Sequence, residues 1–373
     1  MRNTDKVTSL IPFHLIEKNA QQQILDNLSD ERLVRMAIMP DVHAGYDLPI
    51  GAVALVDSHV CPSYVGYDIG CGMCSVNTGI QVVDILPGKP ERVELFNKLL
   101  QAIPHGKGRG HKQVCDFPAF TSAQGDSKLD DKVNRGVSTQ LGSLGSGNHF
   151  LEISADENGS CWVTIHSGSR NPGHSVGESY MAQAQRQRDK FLAIDSDLGR
   201  AYLADMDYCL RFALENRRRM LAVALHLIGI PYSEVYRLLS DEMINENHNH
   251  AVLQTDGTVL HRKGATPADE GQIGIIPANM RDGIVVTIGL GNTDFLSSSS
   301  HGAGRIMSRQ QARKRVQMAE FKDTMKGIVA RVDRSTLDES PAVYKDINTV
   351  IEAQGGVVIN VVGQLKPLIN VKG

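Results

Sequence analysis

An aspartate and a cysteine stand three residues apart in the glycine-rich turn Asp68-Ile69-Gly70-Cys71. This spacing lets a carboxylate and a thiolate face one cation, and histidine nitrogens would complete a ligand set suited to manganese, iron or zinc. His149, His166 and His248 are the candidate partners, since each follows a flexible segment or ends a strand. In the alternative interpretation, Cys71 is a small buried hydrophobe and the histidines only form hydrogen bonds in loops.

A second thiol complicates this prediction. Cys71 and Cys74 form a Cys-x-x-Cys pair, which is typical of redox sites and of structural zinc sites. The sequence holds no second such pair to complete a structural zinc site, so the mixed ligand set is favoured.

A histidine between small residues forms a second chemical centre, in the segment Ser297 to Arg305. The small neighbours leave His301 open to a bulky electrophile, and Arg305 and Arg309 could bind phosphate oxygens. A neutral histidine nitrogen that attacks a nucleotide α-phosphate forms a covalent phosphoramidate. The alternative is a glycine-rich turn that begins a helix over 307–318, with Arg305 in its first turn. A cation there is unfavourable, which favours an anion-binding role.

Three further segments have two interpretations each. Asp41 and His43 share a tight turn, where Asp41 could orient a metal-binding histidine or be an ordinary turn residue. The basic turn 261–267 either serves the site or is a solvated hairpin. Residues 105–140, with scattered lysines and arginines, are either a mobile substrate loop or a solvated surface stretch.

Hydrophobic periodicity predicts a mixture of helices and strands. We expect helices over 19–29, 91–103, 307–318 and 346–354, two or three helices within 177–227, and strands over 53–56, 162–165, 283–290 and 357–362. The sequence has no internal repeat and no low-complexity linker, and the histidine segments are spread along it. A single α+β domain over residues 1–373 is therefore expected.

Composition limits the function classes only weakly. The 373 residues carry 39 Lys+Arg and 42 Asp+Glu, a net charge of −3, so any RNA contact must come from a local basic patch. Six cysteines do not make a disulfide scaffold in a chain of this length. Without a signal-like N-terminus or an apolar run of about 18 residues, we expect a soluble cytoplasmic protein with reduced thiols and no membrane partner.

Seven segments, in this order, resemble the RtcB family of RNA ligases. They are Met39–Gly45, Gly66–Gly72, Leu144–Phe150, His166–Arg170, His248-Asn249, Arg262–Ala265 and Ser300–Arg305. The resemblance extends from about Met39 to the final Val371-Lys372-Gly373, which matches the family's usual C-terminus. It implies an RtcB-like α+β fold with mixed sheets around a central cleft that holds two manganese ions.

The resemblance also implies a role for individual residues. The implied metal ligands are Asp68, Cys71, His149, His166 and His248, with Cys71 bridging the two ions. His301 matches the histidine that becomes guanylylated, and Asp41 matches an aspartate beside the metals. Implied contacts to the GMP moiety are Asn148, Glu152 (to the guanine edge), Asn249, Ala303, Tyr344 and Lys372. Implied phosphate or RNA contacts are Arg170, Arg305 and Arg309.

The implied activity is an RNA ligase that uses GTP and Mn²⁺. It would join RNA 3′-phosphate or 2′,3′-cyclic phosphate ends to 5′-hydroxyl ends through a histidine–GMP intermediate, in RNA repair or tRNA splicing. The RNA partners would be tRNA halves or other cleaved structured RNA; an activating protein is not identified. One alternative is a metal-dependent RNA end phosphoesterase that does not seal and does not need His301. An RNA-binding module with a degenerate site is disfavoured, because every chemical residue is present.

Three positions depart from the family's pattern. Asp47 stands where glycine is common, 278–281 replaces a Gly-Ser-Met-Gly turn, and Ile284 replaces a serine near the nucleotide. Together with the short length, they indicate a shorter RtcB paralogue rather than the main tRNA-splicing type.

Overall fold

A computed structural model describes residues 4–373, which form the following elements. The strands are β1 (Val7–Ser9), β2 (Leu33–His43), β3 (Ile50–Asp57), β4 (His59–Val60), β5 (Gly72–Gln81), β6 (Phe150–Ala155), β7 (Ser160–Ser167), β8 (Leu192–Ala193), β9 (Ile244–Asn247), β10 (Asn249–Leu253), β11 (Thr258–Lys263), β12 (Ala265–Pro267), β13 (Ile273–Pro277), β14 (Ile284–Gly289), β15 (Ser298–Ser300), β16 (Val329–Ala330) and β17 (Ile359–Lys372). The helices are α1 (Lys18–Leu28), α2 (Pro62–Val65), α3 (Val82–Ile85), α4 (Lys89–Ala102), α5 (Ser127–Gln140), α6 (Arg170–Arg186), α7 (Asp197–Leu227), α8 (Tyr232–Arg237), α9 (Arg309–Arg315), α10 (Met318–Thr324) and α11 (Ile347–Glu352).

Most of these strands belong to two mixed sheets. The larger has the order β13-β14-β17-β6-β7-β5-β9, with β16 beside β17, and the smaller has the order β1-β2-β3-β11-β10. β12 pairs with β15 and β4 with β8, and the pairs β1–β2 and β16–β17 run parallel while the others run antiparallel. The α+β fold class predicted from the sequence is confirmed.

The long helix α7 covers one face of the larger sheet. Its residues Met220, Leu221 and Ala224 are buried against Val163 and Ile165 of β7 in the largest hydrophobic cluster. Burial of such side chains contributes about 1.5–3 kcal/mol for each large aliphatic residue. This packing fixes the strands that lead into the site described below.

Two predictions about local structure are wrong. Residues 105–140 are not one loop, because 127–140 form α5, whose N-cap Asp126 accepts hydrogen bonds from two backbone amides. Leu129, Val133 and Val137 are spaced four residues apart and are buried on one face of α5. The helix predicted over 307–318 is instead two short helices, separated at Val316 and Gln317.

The C-terminal strand is much longer than predicted. The pattern indicated 357–362, whereas β17 extends over fourteen residues to Lys372. Pro367 lies inside it, at a register shift against β6. An irregularity of this kind tolerates a proline, which lacks the N–H that a regular ladder needs.

A buried arginine connects α7 to the strand ends. The side chain of Arg217 is 0% exposed. Its guanidinium donates hydrogen bonds to the carbonyls of Gly70 (2.8 Å) and Ser167 (2.9 Å) and to the side-chain oxygens of Asn245 (2.9 Å) and Asn247 (2.8 Å). A fifth contact reaches the sulfur of Cys74 at 3.3 Å. One side chain therefore joins the turn before β5, the end of β7 and the strand β9.

We expect Arg217→Ala to lower the free energy of unfolding by about 3–5 kcal/mol. The substitution leaves two buried carbonyl oxygens and two partly buried amide oxygens without their donor and opens a cavity. Urea denaturation followed by circular dichroism measures the loss. Arg218→Ala is the matched control: Arg218 is half-buried on the same helix and makes no side-chain hydrogen bond within residues 4–373, so a loss of about 0.5 kcal/mol or less is expected. Equal losses in the two variants would contradict this role.

Candidate metal and nucleotide site

Four neighbouring strands of the larger sheet bring four candidate ligands together. His149 directly precedes β6, His166 lies in β7, Cys71 directly precedes β5 and His248 directly follows β9. The registers place Phe150 opposite His166, and Gly72 opposite both Ser167 and Asn247. The strand pairing therefore positions side chains that are up to 177 residues apart in sequence.

The predicted ligand atoms form two overlapping groups around one thiol. Cys71, His166 and His248 form one group and Asp68, Cys71 and His149 the other, with all ligand atoms of each group within 4.8 Å of one another. The Cys71 sulfur lies 3.4 Å from Nε2 of His149 and 3.3 Å from Nε2 of His166. Cys71 is thus shared between the groups.

Hydrogen bonds on the far side of two rings set the direction of their lone pairs. Nδ1–H of His149 donates to the carbonyl of Leu144 (3.0 Å), and Nδ1–H of His166 donates to that of Asn148 (3.3 Å). Nε2 of each ring therefore presents a lone pair to the Cys71 sulfur, and one S–H proton can serve only one of them. Nε2 of His149 also faces Oδ2 of Asp68 at 3.0 Å, and both atoms are acceptors. A cation would satisfy all of these groups, so the donor set fits a bound metal.

Protonation states agree with this interpretation. Burial, with the charges of neighbouring groups, lowers the pKa of His166 and His248 well below the usual value, so both rings are neutral. Burial of Asp68 would raise its pKa, but the hydrogen bond and charge that the His149 ring supplies in its protonated form, with the charge of Arg170, lower the pKa to about 2, so Asp68 is a carboxylate. Burial raises the pKa of Cys71 well above its usual range, so a thiolate there needs a cation beside it.

His301 lies against this cluster and is held by a carboxylate. Its ring centroid is 4.8 Å from that of His248, and its Nδ1–H donates to Oδ2 of the buried Asp41 at 2.7 Å. Nε2 therefore keeps a free lone pair. The ammonium group of Lys345 donates to the carbonyls of Pro40 (2.9 Å) and Val42 (3.0 Å), which fixes the backbone on both sides of Asp41.

The pairing of β12 with β15 delivers His301. Ala265 pairs with Ser300, so the residues that flank these positions, Gly264 and His301, are brought together. Gly264 has φ +60°, and a Cβ there would lie 3.0 Å from Cε1 of His301 and 2.3 Å from Ile50. Glycine is required at this position on both grounds. The adjacent Lys263 is buried on β11, so the interpretation of this segment as a solvated hairpin is wrong.

A cavity of about 510 Å³ opens beside His301. All six residues that the resemblance implies as GMP contacts line it: Asn148, Glu152, Asn249, Ala303, Tyr344 and Lys372. At its floor, β6 and β17 pair Glu152 with Asn370, whose side-chain amide donates to Oε2 of Glu152 at 2.9 Å. Oε1 of Glu152 and Oδ1 of Asn370 are buried and find no partner in the described part of the chain. Burial raises the pKa of Glu152 to about 8.

A buried carboxylate holds the cations that line the cavity. We call these cations, Arg305, Arg309 and Lys372, the cationic wall. Glu339 accepts hydrogen bonds from Tyr344 (2.7 Å), Lys372 (2.9 Å) and Arg309 (2.5 Å), and Arg305 contacts it at 3.3 Å. Burial would raise the pKa of Glu339, but the charges of Lys372 and Arg309 outweigh it and lower the pKa to about 2. Glu339 and Asn370 were not identified from the sequence, because their partners lie in other elements.

The three arginines implied as phosphate contacts differ in their surroundings. Arg305 and Arg309 line the cavity, but the helix α9 begins only at Arg309, so the prediction that Arg305 stands in its first turn is wrong. Arg170 does not line the cavity; its guanidinium packs against Gly145, and its Nε has no hydrogen-bond partner within the described residues. Of the three, Arg170 is the least constrained by protein partners.

Comparison with known proteins agrees with this geometry. A family model described as tRNA-splicing ligase RtcB matches residues 27–123 and 113–373. The chain belongs to the RtcB family. The RNA-splicing ligase RtcB of Escherichia coli K12 is 33% identical over 96% of this chain and 95% of its own length. The Mycobacterium tuberculosis RNA-splicing ligase RtcB is 30% identical over 90% and 96%, and the Thermococcus kodakarensis tRNA-splicing ligase RtcB is 28% identical over 96% and 93%.

The departures from the RtcB pattern fall in different places. Ile284 is buried in a hydrophobic cluster with Met73 and Phe150 and does not line the cavity. Ala278, Asn279 and Met280 do line it, so this turn changes the cavity wall.

The six cysteines are free throughout the described residues, and Cys74 contacts Arg217 rather than forming a pair with Cys71. No helix within 4–373 is sufficiently long and apolar to span a membrane.

We expect acid to remove the stabilisation that Glu339 provides. Its pKa lies below the ordinary 4.5, at about 2, so the contribution is complete above about pH 4.5 and is lost as the pH falls toward 2. The difference between these two pKa values corresponds to about 3 kcal/mol of unfolding free energy. The gap in unfolding free energy between the native protein and Glu339→Gln, measured by urea denaturation, should therefore shrink by about that amount between pH 6 and pH 2.5.

Glu352→Gln removes an exposed carboxylate and serves as the control. The unfolding free energy of this variant should stay within about 0.5 kcal/mol of that of the native protein over the same pH range. A pH-independent gap for Glu339→Gln would show that the cationic wall does not depend on this charge.

Proposed function

We propose that the protein is an RNA ligase that joins RNA 3′-phosphate or 2′,3′-cyclic phosphate ends to 5′-hydroxyl ends, using GTP and manganese, in RNA repair or tRNA splicing. The observation that carries the proposal is the position of His301. Its Nδ1–H is held by Asp41, and its ring contacts His248 of the candidate metal cluster. The names of the relatives, RNA-splicing and tRNA-splicing ligases, support the same activity.

Two manganese ions are the proposed metal content. Asp68, Cys71 and His149 would hold one, and Cys71, His166 and His248 the other, with the Cys71 thiolate shared. Neutral imidazoles, a carboxylate and a single thiolate form a borderline donor set that manganese accepts. When bound, the ions would neutralise phosphate charge and act as Lewis acids.

His301 is the proposed nucleophile. Nε2 attacks the α-phosphorus of GTP, an Nε2–P bond forms, and the bond to the β-phosphate oxygen breaks to release pyrophosphate. Asp41 stabilises the positive charge that develops on the ring, as a carboxylate does for a catalytic histidine elsewhere. A 2′,3′-cyclic phosphate end is first hydrolysed by water to the 3′-phosphate and a free 2′-hydroxyl. An oxygen of the RNA 3′-phosphate then attacks the same phosphorus and breaks the Nε2–P bond. The 5′-hydroxyl of the second RNA end finally attacks the activated 3′-phosphate, loses its proton and releases GMP.

Glu152 and Asn370 are the proposed determinants of guanine selection. Two buried oxygens without donors favour a ligand edge that supplies N–H groups. Guanine offers N1–H and the 2-amino group on one edge, whereas adenine has an acceptor at N1. The proposed phosphate and RNA contacts are Arg170, Arg305 and Arg309. We also propose that residues 1–373 act as one catalytic domain, since the site draws residues from Asp41 to Lys372.

Incubation with α-labelled GTP and Mn²⁺ tests the nucleophile. We expect a covalent GMP label on the native protein, none on His301→Ala, and labelling at least about 100-fold slower on Asp41→Asn, because the ring then loses its tautomer and charge partner. His14→Ala, at an exposed position away from the cavity, should be labelled at the native rate.

Labelling that survives His301→Ala would contradict the proposal. A metal-dependent phosphatase activity on RNA 3′-phosphate ends that survives the same substitution, without sealing, would support the phosphoesterase alternative instead. A panel of cleaved RNAs would then separate tRNA halves from other structured RNA as substrates.

Removal of the shared thiol tests the metal proposal directly. We expect Cys71→Ser to weaken Mn²⁺ binding by at least about 10-fold, since the residue is common to both ligand groups. Isothermal titration of the metal-free protein measures affinity and stoichiometry, and thermal unfolding checks that the variant is folded. Cys115→Ser is the matched control, because Cys115 lies outside both groups. Native-like Mn²⁺ binding by Cys71→Ser would refute the assignment.

A further inference from the structure

Three aromatic rings form a continuous group at the mouth of the cavity. The ring of Tyr46 meets that of Tyr67 edge to face, with centroids 5.2 Å apart and an interplanar angle of 79°. The ring of Tyr67 stacks on that of His174, at 5.0 Å and 22°. Tyr46 and Tyr67 both line the cavity, yet Tyr46 is 62% exposed. We call these three residues the aromatic rim.

The exposed tyrosine is carried by a fixed loop. Glu17 and Gln23 of the segment around α1 accept hydrogen bonds from the amides of Ala44 (2.8 Å) and Gly45 (3.0 Å). Gln23 in turn donates to the carbonyls of Gly45 and Tyr46. Asn27 donates to the carbonyl of Asp47 at 2.7 Å, at the position that departs from the family's pattern. The ring is therefore presented to solvent in a prearranged position, which lowers the entropy cost of binding on it.

One cation lies beside the aromatic rim, and the candidate metal cluster begins next to it. The ammonium group of Lys263 lies 5.2 Å from the centroid of the Tyr46 ring, and its hydrogen bond to the carbonyl of Ser63 (2.7 Å) fixes it there. Tyr67 directly precedes Asp68, a candidate metal ligand. A phosphate bound at the metal cluster would thus carry its own nucleoside toward the aromatic rim.

We propose that the aromatic rim binds the unpaired nucleobase at the 3′-phosphate end of the RNA, by stacking on Tyr46. This inference rests on the proposed function. Single-stranded RNA ends offer exposed base faces, and aromatic side chains bind them with little dependence on sequence. The guanine of GTP is assigned to a different part of the cavity, the buried floor where Glu152 and Asn370 each have an acceptor without a partner in the described residues.

Binding of a short single-stranded RNA tests the aromatic rim. The probes are a 3′-phosphorylated oligonucleotide and the same molecule with an abasic 3′-terminal nucleotide, measured by fluorescence anisotropy with Mn²⁺ and without GTP, so that no turnover occurs. The native protein should bind the abasic RNA roughly 5- to 100-fold more weakly. Tyr46→Ala should weaken binding of the intact RNA by a similar factor and remove the discrimination against the abasic RNA.

Two matched variants separate stacking from other effects. Tyr46→Phe keeps the ring and should keep both affinities. Tyr236→Ala removes a tyrosine that is 74% exposed on α8, outside the cavity, and should behave as the native protein. Tyr46 is chosen over Tyr67 because substitution beside Asp68 would disturb the metal cluster.

The results distinguish failure of this inference from failure of the proposed function. If Tyr46→Ala binds both RNAs as the native protein does while His301 is still labelled by GTP, the aromatic rim is not a base-binding site and the ligase proposal stands. If the discrimination depends on Tyr46 but no label forms, the stacking site stands and the ligase proposal fails. A slower labelling of Tyr46→Ala with unchanged RNA binding would reassign Tyr46 to the nucleotide and overturn the inference.

Discussion

The buried guanidinium of Arg217 is the interaction on which the site geometry depends. It binds the residues Gly70, Ser167 and Asn247, and each of these is the chain neighbour of a candidate ligand. The strand registers bring the ligands to one end of the sheet, and the guanidinium binds two neighbouring backbone carbonyls and the Asn247 side chain. Its oxygen acceptors are carbonyl and amide groups, which are neutral. The guanidinium is therefore buried without a carboxylate partner and does not compete for the acidic ligand of the metal site. Removal of such a group costs more than any one of its hydrogen bonds contributes.

Two parts of the cavity lining, around Cys71 and around Glu339, differ in charge. Around Cys71, neutral imidazoles and a protonated thiol leave lone pairs that a cation can bind. Elsewhere in the lining, Glu339 neutralises part of the charge of Lys372 and Arg309 and holds both in place. A nucleotide triphosphate would therefore meet both fixed cations and a metal-binding cluster. Such prearranged charges need little reorganisation during phosphoryl transfer.

The sequence predicted those strands and helices that have a clear local pattern, and those site residues whose side-chain type indicates their chemistry. The strand that delivers His166 was predicted correctly because Trp162 to Ile165 are strand-forming and bounded. Helix α5 was missed, although Leu129, Val133 and Val137 are spaced for one buried face, because the lysines around them suggested a solvated loop. Arg217 could have been noticed, since the helical period places it on the face of Ala213 and Met220. The role of Glu339 could not be predicted, because its charged partners, Arg309 and Lys372, come from two segments about 30 residues away on either side.

The short connection at His248 has a consequence for stability as well as for chemistry. Asn247 ends a strand of the larger sheet and Asn249 begins a strand of the smaller one, so this single histidine is the whole link between β9 and β10. A cation bound by His248 and Cys71 would act as a cross-link at the seam where the two sheets meet. Ligand binding to the folded state alone adds about 1.4 kcal/mol for each tenfold excess over Kd. The unfolding free energy would then rise with the concentration of free metal.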